Sequence, residues 1–349
     1  MSFGVGPGRT KNTMPKRYSL HRMAMMYAFL VVGFFLPIGI LLLGGALLLA
    51  LNDTRGPSLN LIHEGEVLTA QFSPDGQFVA TTSVQQPCEL LIWNAHNGDR
   101  LNHFSGCPDG KRLPIYSVSY SPDGRQILVT RGDETVWLLD ATTGRYIRQF
   151  VGHTDTVLGA SFSPDGRYAV TFGADKTART WNIDTGQEIL VLTGHQYWVG
   201  DAAFSPNGLH IATMSDGIRI WDATTGDELR HLQASSLTDI AFSQDGETLL
   251  SSGNDSLVRV WDVTTGNEID RFDWSGKWIS FVFFDPSGQR IIAVGQYAEV
   301  RIWDTNTRQV IRDFAPAPGS NPVAAALSPD GKSMIMAYDN QVQAWSLDD

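Results

Sequence analysis

Seven times along the chain a Ser-Pro-Asp-Gly turn, or a close variant of it, returns at a nearly constant interval. It stands as SPDG at Ser73, Ser121, Ser163 and Ser328, as SPNG at Ser205, as SQDG at Ser243 and as DPSG at Asp285. The steps between copies are 48, 42, 42, 38, 42 and 43 residues. A unit of this size cannot bury an apolar face alone, so copies must stack on one another. One complete period runs from Gly152 to Gly194. Its alternating and β-branched residues predict four strands, at 157–162, 168–172, 178–183 and 188–192. Gly, Pro and Asp between them supply the turns.

A second marker keeps step with the first: Trp93, Trp181, Trp221, Trp261, Trp303 and Trp345, with Leu139 in the Trp place of the second copy. A period near 42 residues with Gly-His and Trp-Asp signatures resembles the WD-repeat β-propeller family. The resemblance covers Ser58 to Asp349. It implies an all-β, seven-bladed propeller of four-stranded antiparallel blades.

What precedes the repeats is different in kind. Residues 1–22 are polar and hold five Lys or Arg, which reads as a basic, disordered tail. Residues 23–51 then run for 29 positions without a charge. That exceeds the roughly 20 residues needed to cross a bilayer core, and only a helix satisfies its own backbone there. One transmembrane α-helix is expected before the propeller, kinked at Pro37. A cleaved signal peptide is the other reading, but signal-peptide apolar cores are shorter, about 7–15 residues. The basic residues lie before the span, which puts the N-terminus in the cytoplasm and the propeller outside it. The linker, residues 52–57, reaches about 20 Å at full stretch and keeps the propeller near the membrane.

Residues 58–62 precede His63 in the place that an outer strand holds elsewhere, while the last repeat ends after its third strand. The first segment is therefore expected to complete the last blade, as WD-repeat rings close, and to hide two sheet edges at once. By the same resemblance the outer strand starts on the face of the SPDG turns. That face should look toward the membrane, and the Gly-His loops away from it.

Charge excludes one class of partner. Beyond residue 52 there are 21 basic against 37 acidic residues, a balance of −16. An acidic propeller is a poor partner for DNA or RNA, which demand a basic surface. The eight His are dispersed, with no ligand spacing for a metal, and no Gly-x-Ser-x-Gly elbow occurs. No cofactor, metal or catalytic residue is expected. His153, Thr171, Asp175 and Trp181 match the structural hydrogen-bond network of the family, and their likeness to a hydrolase triad carries no weight inside a blade. The fourth copy keeps His195, Asp216 and Trp221, and the fifth keeps Ser251, Asp255 and Trp261. Copies one, two, six and seven depart further and are expected to lean on apolar packing.

Cys88 and Cys107 lie in loops that open on one face of the first blade, so a disulfide between them is conceivable outside the cytoplasm. Tyr116, Tyr197, Trp198, Trp274 and Trp278 fall in the loops of the outward face, where large aromatics anchor protein partners or pack on neighbouring loops. The function expected is a non-enzymatic, membrane-anchored interaction scaffold whose partner is a protein or peptide. The alternative, a small ligand or a reaction in the central channel, needs a convergent polar cluster at the strand starts, and none is legible.

Overall fold

The computed structural model describes residues 57–84, 89–105, 113–317 and 319–348. They form seven separate four-stranded antiparallel sheets. This is an all-β, seven-bladed propeller. Residues 23–51, Cys88 and Cys107 lie outside the described residues. Among the described residues no helix is long and apolar enough to cross a membrane.

Blade three shows why each repeat folds as it does. Its strands are Val157–Phe162, Tyr168–Gly173, Ala178–Asn182 and Glu188–Leu192. The innermost strand is joined to the second by the Ser163 turn. There the Gly166 N–H donates to Ser163 O at 2.9 Å. The Ser163 hydroxyl donates to Asp165 Oδ1 at 2.6 Å and accepts the Tyr168 N–H at 2.9 Å. One serine and one aspartate thus satisfy the turn without outside help. The pattern recurs at Ser73, Ser121, Ser243 and Ser328. At Asp285 the acid and the hydroxyl change places: Ser287 donates to Asp285 Oδ2 at 2.7 Å, and Asp285 accepts the Arg290 N–H. Gly166 sits at φ +71, and a Cβ there would meet only ordinary contacts. Gly166→Ala is therefore expected to cost about 1 kcal/mol from backbone strain alone, read as a shift in urea midpoint with an unchanged slope.

The core is not one mass but seven seams. Each apolar cluster draws its residues from two adjacent blades. Trp181 packs with Leu128, Leu138 and Phe150 of blade two, and Trp221 with Val170 and Leu192 of blade three. Phe150 meets Trp181 at 5.7 Å between ring centroids. Leu139 fills the Trp place between blades one and two. No blade can bury its faces alone, which is the physical content of the sequence period.

The ring closes between its two ends. Leu59–Ile62 runs antiparallel to Gln341–Ser346, with Leu59 opposite Ala344 and Ile62 opposite Gln341. Leu61 is fully buried in the seam of blades seven and one. Leu59 pairs near the end of its partner strand, beside the turn holding Gly98, where a Cβ would lie 3.0 Å from a Leu59 methyl. The chain thus enters the ring on the face of the SPDG turns. The loops leading into the innermost strands open on the opposite face.

Candidate functional site

In blade three the four expected residues meet. His153 Nδ1 lies 2.8 Å from Asp175 Oδ2, and Nε2 lies 2.7 Å from Thr171 Oγ1. The Trp181 indole N–H donates to the same Thr171 oxygen at 2.8 Å. The Asp175 carboxylate can only accept, so the His153 Nδ1–H donates to it, while the Thr171 hydroxyl, which can both accept and donate, meets Nε2. Burial pushes Asp175 up, but hydrogen bonds from His153, Thr177 and Thr154 outweigh it and hold the carboxyl far below the usual range. Thr171 is fully buried, so its hydroxyl offers no substrate a line of attack. The set ties the loop before the blade to its second and third strands.

Blade four carries the complete set as well. His195 reaches Asp216 and Thr213, each at 2.7 Å, and Trp221 donates to Thr213 at 2.8 Å. Thr213 escapes a fixed-spacing reading because the hairpin here is two residues shorter. The hydroxyl stands eight residues before its Trp, against ten in blade three. Thr213→Val is expected to cost about 2 kcal/mol, since it strands both a buried imidazole nitrogen and an indole N–H, with chemical unfolding as the measure.

Blades one, two and seven correct the expectation that they would rely on apolar packing, and blade five keeps its expected Ser251. In blade one Trp93 donates to Thr81 at 2.7 Å, and His63 stacks on Trp93 at 5.3 Å. In blade two the polar set is rebuilt on other residues. The buried Arg131 guanidinium lies 4.6 Å from the Trp137 ring centroid and 3.5 Å from Asp133. Trp137 donates to Thr135 at 2.9 Å. In blade five Trp261 donates to Ser251, while Asp255 pairs with Arg259 at 2.6 Å. In blade seven Trp345 donates to the Tyr338 hydroxyl at 3.2 Å.

Blade six corrects a site residue. Trp274 is only 5% exposed and stacks edge-on against Trp303 at 5.9 Å. It fills the place that His153 holds in blade three, with the Arg301 guanidinium 5.3 Å from its ring centroid. It is not on the surface. The other four aromatics reach the rim of the face opposite the SPDG turns: Tyr197 is 53% and Trp278 38% exposed, and Trp198 and Tyr116 are half-buried. Tyr297 joins them at 47% exposure, in a left-handed backbone conformation, with its N–H on Asn321. The second-to-third strand turn that presents it has no marker in the repeat.

The structure also brings together a pair that the sequence reading passed over. Asp201 opens the innermost strand Asp201–Phe204 of blade four, and Asp239 lies in Leu237–Phe242 of blade five. The two places are equivalent: Asp201 is opposite Met214, and Asp239 opposite Ser252. The inner edge of an innermost strand has no partner strand, so its N–H groups need other acceptors. Asp239 Oδ2 accepts the Val282 N–H of blade six at 2.8 Å, and Asp201 accepts the Ile240 N–H of blade five. Both innermost strands therefore place a carboxyl beside the channel, the two close enough for the Asp201 charge to act on Asp239. Burial, then the neighbouring Asp201 charge, lifts Asp239 well above the ordinary carboxylate range. Burial lifts Asp201 to about 6. The corresponding residues elsewhere are Thr69, Ser117, Gly159, Phe281 and Ala324. Two consecutive acids at one repeat position were the available signal. Among the described residues no group of three or more His, Cys, Asp or Glu could hold a metal.

Residues 58–94, 144–182, 186–222 and 226–262 match the family model of the WD domain, G-beta repeat. These are WD40 repeats. Each matched WD40 segment joins the outer strand of one blade to the first three strands of the next, so the sequence unit is offset by one strand from the structural blade. The unmatched stretches hold the blades with Leu139, Trp274 and Tyr338 at the altered places. Among known proteins the chain is similar to the pre-mRNA-splicing factor cwf17 of Schizosaccharomyces pombe, 31% identical over 114 residues, 32% of each chain. It is similar to the guanine nucleotide-binding protein subunit beta of Zea mays, 32% identical over 99 residues, covering 27% of this chain and 26% of that one. It also resembles the WD repeat-containing protein WDS homolog of Arabidopsis thaliana, 30% identical over 94 residues, covering 27% and 17%. The matches span about a third or less of each relative's length.

Proposed function

We propose that the chain is a non-enzymatic protein-interaction scaffold, anchored in a membrane by residues 23–51 and carrying its propeller outside the cytoplasm. The observation that carries the scaffold reading is the rim of the outward face. Exposed Tyr197, Trp278 and Tyr297, with half-buried Trp198 and Tyr116, stand on the face opposite the one where the chain enters. Aromatic side chains of this kind supply large contact area at low entropic cost. The relatives named as a splicing factor and as a G-protein subunit support a platform rather than a catalyst, as do the buried His153 and His195 sets. The uncharged run of 29 residues and the five basic residues before it support the anchor and its orientation. The acidic balance of the propeller argues against nucleic acid as the partner.

The test is photo-crosslinking in intact membranes, with the intact protein beside Trp198→Ala/Trp278→Ala. A partner captured by the first and lost by the second supports the rim as the docking face; the same catch from both removes it. Biotinylation of Lys332 from outside sealed cells addresses orientation. Strong labelling would place the SPDG face away from the membrane. A second reading, a small ligand held in the channel, is favoured by Asp201 and Asp239 alone. Thermal stabilisation by small organic cations would support it.

A further inference from the structure

The ring is held shut by its least secured strand. Every other outer strand, such as Glu188–Leu192, is joined to its neighbour in the sheet by a tight turn. Leu59–Ile62 is not, because its partner Gln341–Ser346 lies at the other end of the chain. The closing strand is four residues long, and only Leu59 and Leu61 turn inward. The Ser58 N–H on Ala344 O at 2.9 Å and the His63 N–H on Asn340 O at 2.8 Å bracket it. Local opening starts where the fewest buried contacts hold.

His63 ends this strand, and its seat differs from that of the other two blade histidines. His153 and His195 each meet an aspartate at Nδ1 and a threonine at Nε2. His63 is buried against the Trp93 ring, and neither of its nitrogens has a hydrogen-bond partner among the described residues. The turn that would bring the aspartate reads Gln85-Gln86-Pro87-Cys88. No charged side chain lies on the first two strands of blade one or on any strand of blade seven. In the loop of His63 itself stand Glu64 and Glu66. On the third and outer strands of blade one stand Glu89, Arg100 and His103, with Glu89 paired to His103 at 3.3 Å. On blade seven Tyr338 takes the Trp345 N–H, and the Asp339 carbonyl takes the Val67 N–H. The pocket thus suits the neutral ring alone, since a protonated ring needs an acceptor for each N–H.

We propose that His63 is an acid-operated latch: taking up a proton draws its ring out of the pocket and releases residues 58–63, which bares the Gln341–Ser346 edge of blade seven to a strand supplied in trans. The proton adds to a ring nitrogen and returns to solvent when the latch closes. The closed form is favoured above the ordinary imidazole range and gives way as the pH falls through it. The bared edge carries unpaired N–H and C=O groups beside the two seats that Leu59 and Leu61 vacate. It therefore accepts an extended segment with apolar residues at alternate places.

The experiment is backbone hydrogen exchange on the full-length protein at pH 7.5 and pH 5, with the intrinsic rate at each pH divided out. Protection of the Ser58 and His63 amides should fall roughly 25-fold at pH 5, because the released ring takes its proton near 6.5 and the seated one only near 4. The strand amides of blade three should keep their protection. In His63→Phe and in His63→Gln the Ser58 amide should be protected alike at both pH values. A peptide of residues 57–62 with a photoreactive leucine in the Leu61 place should crosslink to residues 341–346 of the wild type roughly 25-fold more at pH 5 than at pH 7.5. Equal loss of protection in blade three means that acid unfolds the whole domain and overturns the inference. An unchanged Ser58 amide overturns it too, as does one that responds equally in both variants. Lost protection without peptide capture removes the acceptor edge.

Discussion

His153→Leu is expected to lower the unfolding free energy by about 3 kcal/mol, the upper end of the cost of leaving a buried polar group without its hydrogen-bond partner. The substitution leaves Asp175 almost fully buried without its main donor, since the two side chains are 1% and 2% exposed. The loss is not larger because Asp175 keeps the Thr154 N–H at 3.1 Å, the Thr177 hydroxyl at 2.8 Å and Arg179 at 3.6 Å. Adding Asp175→Asn should recover part of the loss, because the stranded charge is gone. The double change should therefore cost less than the sum of the single ones, by more than about 1 kcal/mol. Additive costs, measured by denaturant unfolding, would mean that the pair is not coupled in the folded state. A hydrolytic role for the same residues predicts lost activity with little lost stability.

The second large effect is a pH dependence at the ring closure. His63 directly follows the closing strand, and its N–H donates to Asn340 O at 2.8 Å. Its ring is 4% exposed, and neither ring nitrogen has a hydrogen-bond partner among the described residues. Burial lowers its pKa from 6.5 to about 4. Between those values the unfolded chain takes up a proton that the folded chain refuses. The stabilisation is thus complete above about 6.5 and is lost progressively as the pH falls toward about 4, roughly 3 kcal/mol in all. His63→Phe keeps an aromatic ring against Trp93 and should remove that part of the acid lability. The quantity to measure is the difference in pH slope between variant and wild type. The difference isolates His63 from groups that titrate nearby. Burial lowers His195 despite Asp216 and acts in the same sense. Asp201 and Asp239 act in the opposite sense, both raised above their unfolded values, and the Asp201 contribution is present in acid and lost as the pH rises through about 6. Identical slopes in wild type and His63→Phe would show that His63 is hydrated or paired.

The features that could be read from the residues are those that repeat. The SPDG turn carries its own hydrogen bonds, so its meaning is local and survives variation to SPNG or DPSG. The Trp at six of the seven seams, with Leu139 at the other, announces stacked blades for the same reason: its partners lie at a fixed offset in the chain. Thr213 was missed because a hairpin two residues shorter moved it out of register while leaving it in place in space. Trp274 was misjudged because a loop position gives no hint of which way a side chain turns. In blade six the vacant histidine pocket against Trp303 drew it inward.

Composition and period thus determined the architecture by themselves: a repeat too small to bury its own faces, copied seven times, has stacked blades as its physical solution. What only the tertiary structure decided is which residues of different blades share a wall. Asp201 and Asp239 are 38 residues apart, and each is unremarkable in its own strand. They become a pair because closure brings equivalent rows of neighbouring blades together around the channel. There a strand edge without a partner needs an acceptor, and the charge of Asp201 raises the proton affinity of Asp239 beside it.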